Sequence, residues 1–435
     1  MQRNLIRHAC WGTCLLFAVG CTGCAPGKSG QAGNKKAEER EAKLGYAGTG
    51  TGVLSVIVSS LGESDSTLDD SGMYSSSGWS SVQAFSLDMG TGALALDAMT
   101  ALGAPCPGTA TTTTTGQFYL LPDVCTNQLT VAHLALTGQQ PDGDASSTLG
   151  VEEISESPYP TDSAPLAVRS NNSGKFAYVL NHDGNSVGVY KAESLTGRLT
   201  LVANQPALYA PRAMAIHPSG HHVYVAGGDG GRAIAVFSAD PMTGLLSKQA
   251  LVYLHDDARA LLTRRFTDPV TGASRTMLYA VTRSAVERFG ISREFDMPRW
   301  LQAVRLPSDD QQAAALTKPG YLYVANRASI VALAMNPEDG SLAPVQGSPF
   351  RADTVDIDLW YTDGCQDWPS ETGPATLSVA TGLSGRFLFV SNRETMTLSS
   401  YAIDADLGTI APLPWSPRRL GSRPTSVVVV GGAQT

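Results

Sequence analysis

Cysteine and histidine are the residue types here that could carry redox, metal or proton-transfer chemistry, and each occurs seven times. Their spacing removes most of those chemistries. Cys21-Thr22-Gly23-Cys24 has thiol–disulfide spacing, but no strand–helix–strand pattern surrounds it. His221 and His222 are adjacent, so on a strand they point to opposite faces and cannot share a metal. Asp65, Asp69 and Asp70 are spaced for no EF-hand calcium loop and read as a solvated segment. The chain has no Gly-x-Ser-x-Gly nucleophile elbow, no His-Glu-x-x-His zinc pair and no P-loop. The glycine-rich stretch Gly48 to Gly52 opens no strand–helix unit and reads as linker. Neither a metal nor a cofactor is expected.

Composition narrows the class further. The 435 residues hold 31 Lys and Arg against 39 Asp and Glu, for a net charge of −8 and a pI near 5.4. A basic surface for nucleic acid is therefore not expected. Hydrophobic residues make up 43% of the chain, enough for a large core, and 44 glycines with 25 prolines imply many turns.

The first twenty residues read as an address. Arg3 and Arg7 form a positive start, followed by an apolar run from Ala9 to Val19 that is too short to span a membrane. Ala18-Val19-Gly20-Cys21 resembles the bacterial lipobox, which implies cleavage after Gly20 and lipidation of Cys21. Ordinary secretory cleavage, or cleavage before Cys24, is the alternative. Residues 21–52, with Lys35 to Lys43 highly charged, read as a flexible tether. The expected product is a monomer in the bacterial cell envelope, held to a membrane through lipid at Cys21.

Export leaves Cys24, Cys106, Cys125 and Cys365, which allow three pairings. Cys106 and Cys125 bracket one threonine-rich segment, and Cys24 lies in the tether. A Cys106–Cys125 disulfide is expected.

The elements that must position any site recur along the rest of the chain. A short strand pattern appears as VLSVIVSS from Val53, QFYLLP from Gln117, FAYVLN from Phe176 and HVYVAG from His222. It continues as MLYAVT from Met277, YLYVAN from Tyr321 and FLFVSN from Phe387. Equivalent positions Val56, Tyr119, Tyr178, Tyr224, Tyr279, Tyr323 and Phe389 lie 44 to 66 residues apart. The shorter intervals match a propeller blade, and the longer ones imply insertions, such as Ser60 to Gly78 and Tyr361 to Gly373. After each copy come a polar turn, an alternating strand, a glycine turn at Gly92, Gly197, Gly244, Gly340 or Gly408, and another strand. The fold predicted is an all-β, seven-bladed β-propeller of four-stranded antiparallel blades spanning residues 53–435. Arg423 to Gly431 reads as an innermost strand without a blade, and the first blade lacks one. Pairing of the two would close the ring and remove an exposed edge.

Strands of the YVLN and YVAN type, followed by turns such as DPMTGLL at Asp240 and EDGSL at Glu338, resemble the seven-bladed β-propeller lactonase family. That family includes 6-phosphogluconolactonase, carboxymuconate-cyclizing enzymes and uncharacterised YVTN-repeat surface proteins. The resemblance implies a site at the channel mouth built from a histidine, two arginines and a glutamate. Arg212, in Pro211-Arg212-Ala213, matches the first arginine, and Arg283 matches the second. The glutamate position falls on Gly228, with Asp229 beside it as a replacement base. The histidine position, within Ala164 to Ala167, is empty of histidine, and His182 on the following turn is the nearest substitute.

Lactone opening needs a proton shuttle and a positive site for developing charge. The sequence keeps candidates for the second and departs from the family at the first. A guanidinium pair of Arg212 and Arg283 would clamp a small carboxylate, lactone or phosphate. Two arginines bonded to blade carbonyls would be the structural alternative. Three functions follow: a binding or interaction module with weak or no catalysis, a lactone hydrolase, and a structural or adhesive surface protein. Export argues against a phosphorylated sugar lactone, which is a cytoplasmic intermediate.

Overall fold

The computed structural model describes residues 54–61, 80–137, 148–267, 272, 274–291, 297–308, 313–326, 329–352, 377–381, 385–393 and 395–431. The proposed signal segment, the tether with Cys21, Cys365 and nearly all of both insertions lie outside them. Within them strands dominate, and the one helical piece is a three-residue 3₁₀ turn at Asp229–Gly231. None of the described elements is a helix long and apolar enough to cross a membrane.

Seven antiparallel sheets follow one another along the chain. Their innermost strands are Pro424–Gly431, Thr111–Thr112, Pro165–Ser170, Ala213–Ile216, Ala258–Thr267, Ala313–Leu316 and Leu377–Thr381, for blades one to seven. Each innermost strand touches the next in cyclic order, and the seventh touches the first. The ring is thus closed. Closure uses the C-terminal strand, which pairs antiparallel with Leu54–Ser60, Ile57 lying opposite Val428. Four strands build each blade, and blades two, six and seven carry an additional two-residue pairing.

The repeated pattern marks the second strand of each blade. Its central residues Val56, Tyr119, Tyr178, Tyr224, Tyr279, Tyr323 and Phe389 are all buried. Both faces of these strands pack against neighbouring blades, which explains runs such as Phe176–Asn181 with no exposed position. The tyrosines also tie blade to blade. The hydroxyls of Tyr178, Tyr279 and Tyr323 donate to the carbonyls of Gly244, Gly340 and Gly408 in the following blade, at 3.3, 2.8 and 2.9 Å. Burial pushes the Tyr178 hydroxyl up to about 12 and raises Tyr279 and Tyr323 as well, so all three remain donors.

These glycines are dictated by their neighbours. Gly244 has φ +75°, and a Cβ there would lie 2.5 Å from the Phe176 ring of the preceding blade. Gly340 has φ +73°, and its Cβ would lie 2.8 Å from the Tyr279 hydroxyl. The glycine turn read along the chain is therefore an inter-blade contact as well as a turn.

Candidate functional site

Antiparallel order fixes which residues can meet. In every blade the connection into the innermost strand and the turn between second and third strands lie at the same end. For blades three to five that end carries His182, Arg212, Gly228 to Arg232, His255 to Asp257, and Arg283 with Ser284.

Arg212 stands directly before the innermost strand of blade four, its amide donating to the Ala226 carbonyl at 2.8 Å. The turn across from it is built from glycine because the backbone runs close. A Cβ on Gly227 would lie 2.8 Å from Pro211 Cα, and the Gly228 amide (φ +89°) donates to the Tyr209 carbonyl at 2.6 Å. Gly231 packs its α-carbon against Asp257 Oδ1, leaving no room for a side chain. Asp229 opens this turn, and its side chain lies outside the described residues.

The connection from blade four to blade five supplies the negative charge. Asp257 Oδ2 lies 3.6 Å from Arg212 Nη1 and 3.1 Å from Arg259 Nη2, with the Asp257 side chain only 15% exposed. Asp257 Oδ1 is buried without a hydrogen-bond partner. Arg283 reaches the same segment through its backbone, its amide donating to the Asp257 carbonyl at 3.0 Å, while its side chain is exposed. The neighbouring Asp256 accepts from the Asp257 amide and the Ser284 hydroxyl, both at 2.8 Å. Burial alone would raise Asp256, but these two hydrogen bonds and the charges of Arg283 and Arg232 bring it below the usual carboxylate range.

The Arg212 side chain and the Arg283 backbone therefore adjoin the same segment, Asp256–Asp257. Arg212 has the Asp257 carboxylate at ion-pair distance. His182 is buried, its Nδ1 2.6 Å from Asp183 Oδ1 and its Nε2 without a partner. His255, largely exposed, places Nδ1 2.8 Å from Oε2 of the buried Glu287, and its ring lies 5.7 Å from that of Trp300. Asp256, Asp257, Arg259 and the His255–Glu287 pair were not among the residues expected from sequence. The signal for them is the run His255-Asp256-Asp257 immediately before the strand at Ala258.

At the same end of blade two, Cys106 and Cys125 form a disulfide with Cα atoms 5.5 Å apart. Buried Asp123 organises it, Oδ1 accepting from the amides of Cys106 at 3.1 Å and Cys125 at 3.0 Å. These three residues also group as metal ligands would, but both thiols are consumed by the disulfide.

Residues 125–253 match the family model described as Lactonase, 7-bladed beta-propeller. That span includes Arg212 and Asp229 and stops short of His255. No curated protein sequence matches the chain. Among solved structures, a candidate 6-phosphogluconolactonase from Bacteroides fragilis is 16% identical, with a TM-score of 0.64 over 88% of this chain and 99% of its own. A second, from Bacteroides uniformis, is 17% identical with a TM-score of 0.63 over 87% and 99%. A periplasmic gluconolactonase from Pseudomonas aeruginosa is 17% identical, with a TM-score of 0.61 over 87% and 99%. At these identities the likeness is one of fold. The chain has the fold of the lactonase seven-bladed β-propellers, with that family's sequence pattern across residues 125–253.

Proposed function

We propose that this propeller is a binding module of the cell envelope, anchored by lipid at Cys21, that holds a small carboxylate-bearing ligand at the Arg212–Arg283 rim with weak or no catalysis. The observation that carries this reading is the convergence of four arginines on one short acidic segment. Arg212, Arg232, Arg259 and Arg283 surround Asp256 and Asp257. Asp229 adds a third carboxylate by sequence, and Glu287 a fourth that is bonded to His255. A guanidinium rim of that kind suits a carboxylate. At this end Asp183 and Glu287 hold His182 and His255 through Nδ1, which orients each imidazole rather than occupying its Nε2.

One observation favours the hydrolase reading. The orphaned Oδ1 of Asp257, beside Arg212, is an acceptor that a substrate water could use. A panel of aldonates and aldonolactones separates the two. The binding reading expects calorimetric association of aldonates, weakened at least tenfold in Arg212→Ala, as for loss of a charge-assisted hydrogen bond, and no turnover of the lactones. Hydrolysis by the wild type that disappears in Arg212→Ala overturns it. Cys21→Ser should move the protein from the membrane to the soluble fraction.

A further inference from the structure

The seven innermost strands contain no aspartate or glutamate, yet they carry Arg169, Arg259, Arg264 and Arg265. In a chain of net charge −8 this leaves the ring's inner wall with one sign of charge. Like-signed charge along a low-dielectric wall focuses potential and draws in counter-ions.

The four arginines are not equally satisfied. Arg259 faces Asp257. Arg264 donates to the carbonyls of Thr317 and Lys318 and lies over the Phe266 ring. Arg265 is exposed. Arg169 differs from all of these. Among the described residues its guanidinium has one partner, the carbonyl of Val168, which Nη1 reaches at 2.9 Å. A guanidinium has five N–H donors, and an enclosed cation is ordinarily paired.

Arg169 is also enclosed. It lies in the innermost strand of blade three, opposite Tyr178 of the second strand, and retains only part of its solvent exposure. Burial alone pushes its pKa down from the ordinary arginine value, with no acidic group to oppose it. On the blade-two side Thr109, two residues before the innermost strand Thr111–Thr112, bridges Ala167 in parallel register, which puts Thr111 level with Arg169.

We propose that the central channel binds a small oxyanion, a carboxylate or phosphate group, on the guanidinium of Arg169. The planar fork of donors matches two oxygens of such a group. This site lies apart from the Arg212–Arg283 rim and stands whether or not that rim binds anything.

Selenate, an oxyanion with an anomalous signal, is the probe. Crystals soaked in it should show an anomalous peak within hydrogen-bonding distance of the Arg169 guanidinium, absent in Arg169→Gln. In solution, titration with selenate and with acetate at constant ionic strength separates the phosphate-like from the carboxylate-like ligand. Affinity for the preferred ion should fall at least tenfold in Arg169→Gln, the loss expected for a charge-assisted hydrogen bond. It should be largely restored in Arg169→Lys, which preserves the charge if the glutamine variant fails to fold. A peak only at the Arg212–Arg283 rim, no peak, or equal affinity in wild type and Arg169→Gln overturns the proposal.

Discussion

Replacing Asp257 by asparagine keeps the shape of the rim and removes its central negative charge. Oδ2 of Asp257 is 3.6 Å from Arg212 and 3.1 Å from Arg259, so both guanidiniums lose a nearby negative charge at once. An anion docked beyond Arg212 would stand about 7 Å from that oxygen, and Coulomb's law at an effective dielectric of about 20 to 80 gives roughly 0.6–2.4 kcal/mol of repulsion relieved. Asp257→Asn should therefore bind an aldonate about 3- to 50-fold more tightly, most clearly at low salt, where screening is weakest. The same change takes one carboxylate from two arginines that are 22% and 31% exposed, and the fold should lose about 1–3 kcal/mol in urea unfolding. Calorimetry on the folded variant at two salt concentrations reads the first effect. Unchanged or weaker binding in folded Asp257→Asn refutes the electrostatic reading of the rim. Lactone hydrolysis by the wild type that is abolished in the variant assigns Asp257 to proton transfer instead.

Other perturbations test the frame that holds the rim. Gly244→Ala must place a methyl 2.5 Å from the Phe176 ring at a φ of +75°, and should cost about 2–4 kcal/mol, read as a fall in Tm of several degrees. Cys106→Ser opens a link between residues 19 apart in sequence and should cost about 3 kcal/mol under oxidising conditions, with no effect once wild type is reduced. Asp256 is held below the usual carboxylate range, so its contribution to stability is present above the unfolded carboxylate pKa and is lost as pH falls through the lower folded value. Ser284→Ala removes one of the bonds that lower it, and should flatten the loss of stability below about pH 4 in an acid titration followed by circular dichroism.

Much of this architecture is written locally. Strands such as Phe176–Asn181 and Tyr321–Ala325 announce themselves because β-branched and aromatic residues between glycine and asparagine turns favour extended chain whatever lies around them. Ring closure was legible for a related reason: a strand at Pro424–Gly431 with no blade of its own and a first blade lacking an inner strand leave one pairing that buries both edges. Arg212 and Arg283 could be singled out by their places beside repeated strands. The residues that define their surroundings could not. Asp257 meets Arg212 across the boundary between two blades, and the 45 positions that separate them carry no mark of that encounter.

What the sequence determined by itself is the set of blades, their order and their closure, because strand patterning and turn chemistry act over a few residues at a time. What the tertiary structure decided is the electrostatic state of each arginine. Arg212 acquires a carboxylate and Arg169 acquires none, although both stand in or beside innermost strands of adjoining blades. A charge's partner is set by distance through space, and for Arg212 and Asp257 that distance is set where blade four packs against blade five.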